Sequence, residues 1–298
     1  MAETLKRLNK LENMSYNISS DKFTHPLLKP VLLELTEYFK DSGISFFVIG
    51  ATARDIIMEL HDEQSGRLTY DLDIAITIND WNQWEAVEKG ILDLVDFKKD
   101  SKQQQRFLYK DTFTLDIVPF GEIMKQGNKI FWPPDESFAM SVLGFDAVED
   151  ASLKINVDEE IEINIASLCG IFILKVFAWK DRHQKDNKDA DDIGFILANY
   201  LEIHRDASLE YYDIVYPEDH TVLTGGSSML GIHMAELLRD YPDVKIAIME
   251  ILQSELDKNE ESMLVNQILE TNKMMNFDEV CTCFRNVFVS WKGSLDNW

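Results

Sequence analysis

The sequence predicts an α+β fold in which strands and helices alternate up to about residue 165 and a mostly helical region follows to residue 298. Two observations carry this prediction. Between residues 44 and 165, short apolar runs rich in β-branched and aromatic residues are bounded by Gly, Asp and Pro, as strands are. From Ser167 onward apolar residues recur every three or four positions, as on one face of a helix. A third observation sets the scale: 298 residues, 45% hydrophobic and 11% aromatic, suffice for a real core. At roughly 150 residues per domain they suggest two domains, 1–165 and 166–298.

Taken in order, residues 1–24 mix charge with Asn and Ser and read as a short helix and a loose arm. Leu28, Val31, Leu32, Leu35 and Phe39 fall at helical spacing, and Asp41-Ser42-Gly43 closes that helix. Ile44 to Ile49 is an apolar strand stopping at Gly50, and Ala51 to Leu60 reads as the next helix. Thr69 to Ile78 is a strand, Trp81, Trp84, Val87, Ile91 and Leu92 mark a helix, and Asp96 to Gln105 is polar and reads as a loop. Arg106–Tyr109 and Thr112–Phe120 then form a hairpin around Lys110-Asp111. Further strands are expected at Ile130–Trp132, Ser141–Val148, Ser152–Val157 and Glu160–Ile165. Ser167 is a suitable N-cap for an apolar helix through Trp179, and Lys188 opens another with Ile193, Ile196, Leu197 and Tyr200 on its apolar face. Beyond residue 205 the candidate helices are Met229–Leu238, Val244–Leu256, Met263–Leu269 and Val280–Trp291, interrupted at Tyr216-Pro217 and by a break at Gly225-Gly226.

Twenty-nine basic residues against 53 acidic give a net charge of -24, which repels nucleic acid and anionic membrane wherever no local basic patch overrides it. Cys169, Cys281 and Cys283 lack zinc-site spacing and fit a reduced, cytoplasmic protein. The first ten residues carry Glu3 and no apolar core, so they do not read as a secretory signal, and no stretch approaches the ~20 apolar residues of a membrane span.

The chemistry-bearing residues cluster between 50 and 120. Asp71 and Asp73 are one residue apart on a strand, so their side chains share a face while Leu72 and Ile74 take the other. Two such acids are either a solvated strand end or a cation site with open positions, as Mg²⁺ requires when it also binds phosphates. Asp116 stands alone on an apolar strand, opposite in face to Leu115, Ile117 and Pro119. It is either a salt-bridged acid at a sheet edge or a third carboxylate that shares a cation and takes a proton from an attacking hydroxyl. Gly50 at a strand-to-helix junction either meets a steric need or opens an anion site on the helix N-terminus.

Gly50-Ala51-Thr52-Ala53-Arg54, Gly66-Arg67-Leu68-Thr69-Tyr70-Asp71-Leu72-Asp73-Ile74, Asp116, Lys175-Val176-Phe177-Ala178 and Lys188-Asp189-Ala190-Asp191-Asp192 together resemble the nucleotidyltransferase superfamily, in its AbiEii-like branch of abortive-infection toxins. The resemblance spans about residues 44 to 200. It implies a mixed sheet flanked by helices at residues 1–165 as the catalytic domain, with residues 166–298 as a helical domain. It also implies two Mg²⁺ ions held by Asp71, Asp73 and Asp116, and a nucleoside triphosphate seated on Gly50, Ala51 and Thr52. Ala51 stands where the family usually has Gly or Ser, so a hydroxyl to the phosphates falls to Thr52. Arg54 or Arg67 would steady the triphosphate, Lys175 would bind a phosphate or the nucleotide, and Asp189 and Asp192 would fix Lys175 or bind the acceptor. The implied activity is transfer of a nucleoside monophosphate to a hydroxyl of transfer RNA or protein, as the toxin partner of an antitoxin. A small cationic acceptor of the aminoglycoside type and a catalytically inactive nucleotide-binding module are the competing readings.

Overall fold

The structure is a computed structural model that describes residues 15–66, 69–125, 127–134, 136 and 139–293. It divides into two compact units between Ser167 and Leu168.

The first unit is built on an eight-stranded mixed sheet in the order β1-β9-β10-β2-β3-β6-β5-β4, the mixed sheet with flanking helices that the family resemblance implies. Its strands are β1 (Ser15–Ile18), β2 (Phe46–Ile49), β3 (Asp71–Ile78), β4 (Phe97–Lys99), β5 (Arg106–Tyr109), β6 (Phe113–Gly121), β9 (Leu153–Val157) and β10 (Ile161–Ile165). β7 (Lys129–Phe131) and β8 (Ala139–Ser141) pair separately. Helix α1 (Leu28–Ser42) buries Leu28, Val31, Leu32, Leu35 and Phe39, the stripe read from spacing. Full burial contributes about 1.5–3 kcal/mol for each such apolar side chain, which holds the helix to the sheet. Gly43 ends it in the left-handed conformation at φ 67°. α2 (Gly50–Leu60) follows β2 without a linker, and α3 (Trp81–Asp93) is capped by the Asp80 carboxylate, which accepts from the Gln83 N–H.

Three local expectations are corrected. The arm at residues 1–24 falls partly outside the described residues, and Ser15–Ile18 is a strand paired parallel to β9. The polar stretch 96–105 contains the edge strand β4, which its pairing with β5 recruits. The expected strand Ser141–Val148 ends at Ser141, because Gly144 turns the chain at φ 88° and the short helix α4 (Phe145–Asp150) buries Phe145, Ala147 and Val148.

The second unit, within Leu168–Trp298, is helical in its described residues, as predicted: α5 (Leu168–Arg182), α6 (Lys188–Ile203), α7 (Val222–Leu237), α8 (Pro242–Asp257), α9 (Met263–Thr271) and α10 (Phe277–Gly293), with short turns between α6 and α7. The break expected at Gly225-Gly226 is a continuous stretch of α7. A Cβ on Gly226 would lie 3.0 Å from the Leu201 nitrogen and one on Gly231 2.5 Å from the Val287 carbonyl oxygen, so these glycines let α7 approach α6 and α10 at backbone distance. No helix of the described residues is long and apolar enough to cross a membrane.

Candidate active site

β3 places its acids as the alternation requires: Leu72 and Ile74 are fully buried, while Asp71 and Asp73 are half-buried on the other face. β3 runs parallel to β6 with Asp73 directly beside Asp116, and β6 runs antiparallel to β5 with Asp116 directly beside Arg106. On the other side Ile49, the last residue of β2, pairs with Asp73. A single transverse row, Ile49–Asp73–Asp116–Arg106, therefore crosses four strands. The third acid lies in the sheet interior rather than at an edge, since β6 has a partner on each side.

Gly50 takes φ 67° immediately after Ile49, and a Cβ there would meet the Asp73 Oδ2 at 2.5 Å. The glycine turn and the N-terminus of α2 thus lie against the Asp73 carboxylate, an arrangement in which helix N–H groups favour negative charge. A cleft lined by His25, Thr52, Ile56, Thr69, Asp71 and Phe113 adjoins the start of β3 and the first turn of α2, with the His25 ring 4.5 Å from that of Phe113.

The other side chains expected at the phosphates point elsewhere. Ala51 and Thr52 are buried, and the Thr52 hydroxyl donates to the Asp71 carbonyl at 2.7 Å, tying the turn to the acidic strand. Arg54 is 1% exposed and its Nε and Nη2 donate to Asp55 Oδ1 at 2.9 and 2.7 Å, while the Thr69 hydroxyl donates to Asp55 Oδ2 at 2.6 Å. Arg54 is an interior cation neutralised inside the fold, so it does not present its guanidinium to a ligand here. Arg67 lies outside the described residues.

Asp116 is held in a two-point ion pair, with Arg106 Nε donating to Oδ1 and Nη2 to Oδ2, each at 2.7 Å. The Asp116 carboxylate foremost, and Asp73 and Asp71 beyond it, hold the Arg106 pKa above its ordinary value. Sequence reasoning missed Arg106. The signal was the loop length: a two-residue turn at Lys110-Asp111 sets Arg106 opposite Leu115, whereas the observed pairing of Tyr109 with Phe113 leaves a three-residue loop and moves Arg106 opposite Asp116.

The donor chemistry of Asp71 and Asp73, carboxylate oxygens alone on one strand face, fits a hard divalent cation such as Mg²⁺. The third acid is engaged by Arg106 through both oxygens. Among the described residues no group of three or more His, Cys, Asp or Glu side chains is arranged to hold a metal.

In the helical unit, Lys175 and Arg182 on α5 face Asp189 and Asp192 on α6. Lys175 Nζ lies 2.6 Å from Asp192 Oδ2 and 3.0 Å from Asp189 Oδ1, and Arg182 Nε donates to Asp189 Oδ2 at 2.7 Å. Burial opposes the charge on Lys175, but Asp192 and Asp189 outweigh it and raise its pKa. Burial likewise pushes Asp189 up, and the Arg182 and Lys175 cations bring it down to about 2. The structure thus brings Lys175, Asp189 and Asp192 together as one buried ion cluster.

Against known proteins, the model of the family described as "Nucleotidyl transferase AbiEii toxin, Type IV TA system" matches residues 35–257. No curated relative matches the chain. Among solved structures, an antigenic nucleotidyltransferase-like protein from Paracoccidioides brasiliensis is similar at 16% identity and a TM-score of 0.40, covering 78% of this chain and 94% of its own. The antibiotic-resistance factor ANT(2'')-Ia is similar at 13% identity and a TM-score of 0.32, covering 76% and 97%, and a CCA-adding enzyme complexed with CTP at 11% and 0.27, covering 92% and 84%.

Proposed function

The chain belongs to the AbiEii family of nucleotidyltransferases, and from that premise we propose that it moves a nucleoside monophosphate from an NTP to an acceptor hydroxyl on a macromolecule, transfer RNA or protein, as the toxin of a toxin–antitoxin pair. The observation that carries the site assignment is the row that sets Asp73 beside Asp116 with the glycine turn against Asp73. The first unit is the catalytic one, and the helical unit recognises the acceptor.

Asp71 and Asp73 hold a divalent ion, Mg²⁺, with Asp116 contributing when its oxygens are free. When bound, the metal supplies neutralisation of the charge on the triphosphate and on the attacking and leaving oxygens. Backbone N–H groups of Gly50, Ala51 and Thr52 at the start of α2 receive the triphosphate, in a place where fixed dipoles favour an anion without reorganisation. The Thr52 hydroxyl contributes indirectly, by fixing the turn to the Asp71 backbone. Asp116 Oδ accepts the proton of the acceptor hydroxyl. The acceptor's hydroxyl oxygen forms a bond to the α-phosphorus, the bond from α-phosphorus to the bridging oxygen breaks, and pyrophosphate leaves. Lys175, Asp189 and Asp192 keep α5 and α6 in register and set the helical unit's surface for nucleotide or acceptor.

A small cationic acceptor is the second reading, favoured by the net charge of -24. The test is label transfer from each of the four NTPs, with transfer RNA, cell lysate and an aminoglycoside as acceptors, beside Asp71→Ala/Asp73→Ala. Transfer that needs Mg²⁺ and vanishes in the variant supports the assignment and identifies the acceptor. No transfer and no Mg²⁺-dependent NTP binding by the intact chain refutes it.

A further inference from the structure

Both oxygens of the third acid are already committed to a cation that belongs to the chain. Arg106 meets Asp116 fork to fork and takes one lone pair of each oxygen, so a metal cannot chelate the carboxylate from that side without breaking at least one of the two 2.7 Å contacts. A second ion on this face needs the lone pairs that Arg106 now occupies, which Asp116 offers only once released, and a triphosphate brings further negative charge to hold it.

The arginine is placed to let go. Its side chain is 28% exposed against 13% for Asp116, and it stands at the first residue of β5, directly after the polar stretch 100–105, so the guanidinium can leave the carboxylate without disturbing a strand. From the same position it stays near Asp73 and Asp71, at the side of the sheet where a triphosphate on the Gly50 turn would arrive.

Resting on the nucleotidyltransferase assignment above, we infer that Arg106 is the resting counter-ion of Asp116 and the gate of the second metal position: it keeps that position closed until a nucleoside triphosphate draws its guanidinium away. Arg106 is thus a positioning residue that couples the second metal to nucleotide.

The experiment is a Mn²⁺ titration of the full chain followed by electron paramagnetic resonance, with and without an NTP analogue that cannot release pyrophosphate. The intact protein should hold one ion alone and two with the analogue. Arg106→Gln should hold the second ion without nucleotide, at least about tenfold more tightly than the intact chain, the scale expected from removing a unit charge in near contact at a part-exposed site. Arg106→Lys, which keeps the charge without the two-point grip, should fall between them and serves if the glutamine variant does not fold. Asp73→Asn should lose the first ion, which locates it. If the variants at 106 bind both ions as the intact chain does, or if the intact chain takes two ions regardless of nucleotide, the gate is refuted while the enzyme assignment stands. If neither the intact chain nor the variants bind Mn²⁺ with or without the analogue, the metal assignment falls and the gate falls with it.

Discussion

Gly43 and Gly50 share the same backbone dihedral, φ 67°, yet a methyl group placed on each meets very different surroundings. At Gly43 nothing lies within 4 Å, so Gly43→Ala carries only the left-handed backbone penalty, about 1–2 kcal/mol. At Gly50 the same penalty applies, and the methyl also sits 2.5 Å from Asp73 Oδ2, 3.3 Å from Cγ and 3.4 Å from Cβ. The carboxylate must then move by roughly an ångström or turn off its rotamer, which adds about 0.5–1.5 kcal/mol. Gly50→Ala is therefore expected to cost about 1 kcal/mol more than Gly43→Ala in urea unfolding. Function should separate the pair far more widely. A reacting group misplaced by about 1 Å loses on the order of a hundredfold in rate, so Gly50→Ala should transfer label about a hundred times more slowly while Gly43→Ala stays near the parent. Equal stability losses would refute the Gly50–Asp73 contact. Equal activities would refute the assignment of Asp73 to the reacting centre.

Three further outcomes follow from burial and charge. Lys175→Ala leaves Asp192 and Asp189 buried without their ammonium partner and should destabilise the chain by about 3–5 kcal/mol in urea unfolding. Gly231→Ala drives a methyl into the Val287 carbonyl, which as backbone cannot swing aside, and should lower the melting temperature through a loss of about 1–3 kcal/mol. His233, whose Nδ1 lies 2.7 Å from the Tyr200 hydroxyl, is kept neutral by burial, with its pKa lowered to about 4 from an ordinary 6.5. The unfolded chain takes up that proton first, so this contribution is complete above pH 6.5 and is lost as pH falls towards 4, on the order of 3 kcal/mol in all. His233→Gln should flatten the stability profile across that window, as followed by unfolding at a series of pH values.

Periodicity made much of the frame legible. The stripe of α1, the alternation of Leu72 and Ile74 against Asp71 and Asp73, and the apolar face of α6 all follow from side chains repeating at the period of their element. What escaped was set by geometry that residue types do not encode. Ala51 through Met58 of α2 are all buried, so Thr52 and Arg54 turn inward, and a pattern match cannot tell an inward arginine from an outward one. The pairing of Arg106 depended on one residue of loop length. Gly225-Gly226 reads as a break in the sequence, whereas here close helix packing uses the missing side chains. Gly144 acted in the opposite sense, ending a run that β-propensity alone would have continued.

The transverse row Ile49–Asp73–Asp116–Arg106 has a consequence for how the protein folds. Its members come from four strands separated by as many as 67 positions, counting from residue 49 to residue 116, and two of the three ladders joining them are antiparallel while the middle one is parallel. Because side chains alternate, a slip of one residue in any ladder sends an acid or its arginine to the opposite, apolar face. A misregistered sheet would bury an uncompensated charge, so the ionic row also penalises wrong assemblies. No fragment short of β2 through β6 contains the row, so chemistry on this sheet cannot precede the pairing of all four strands.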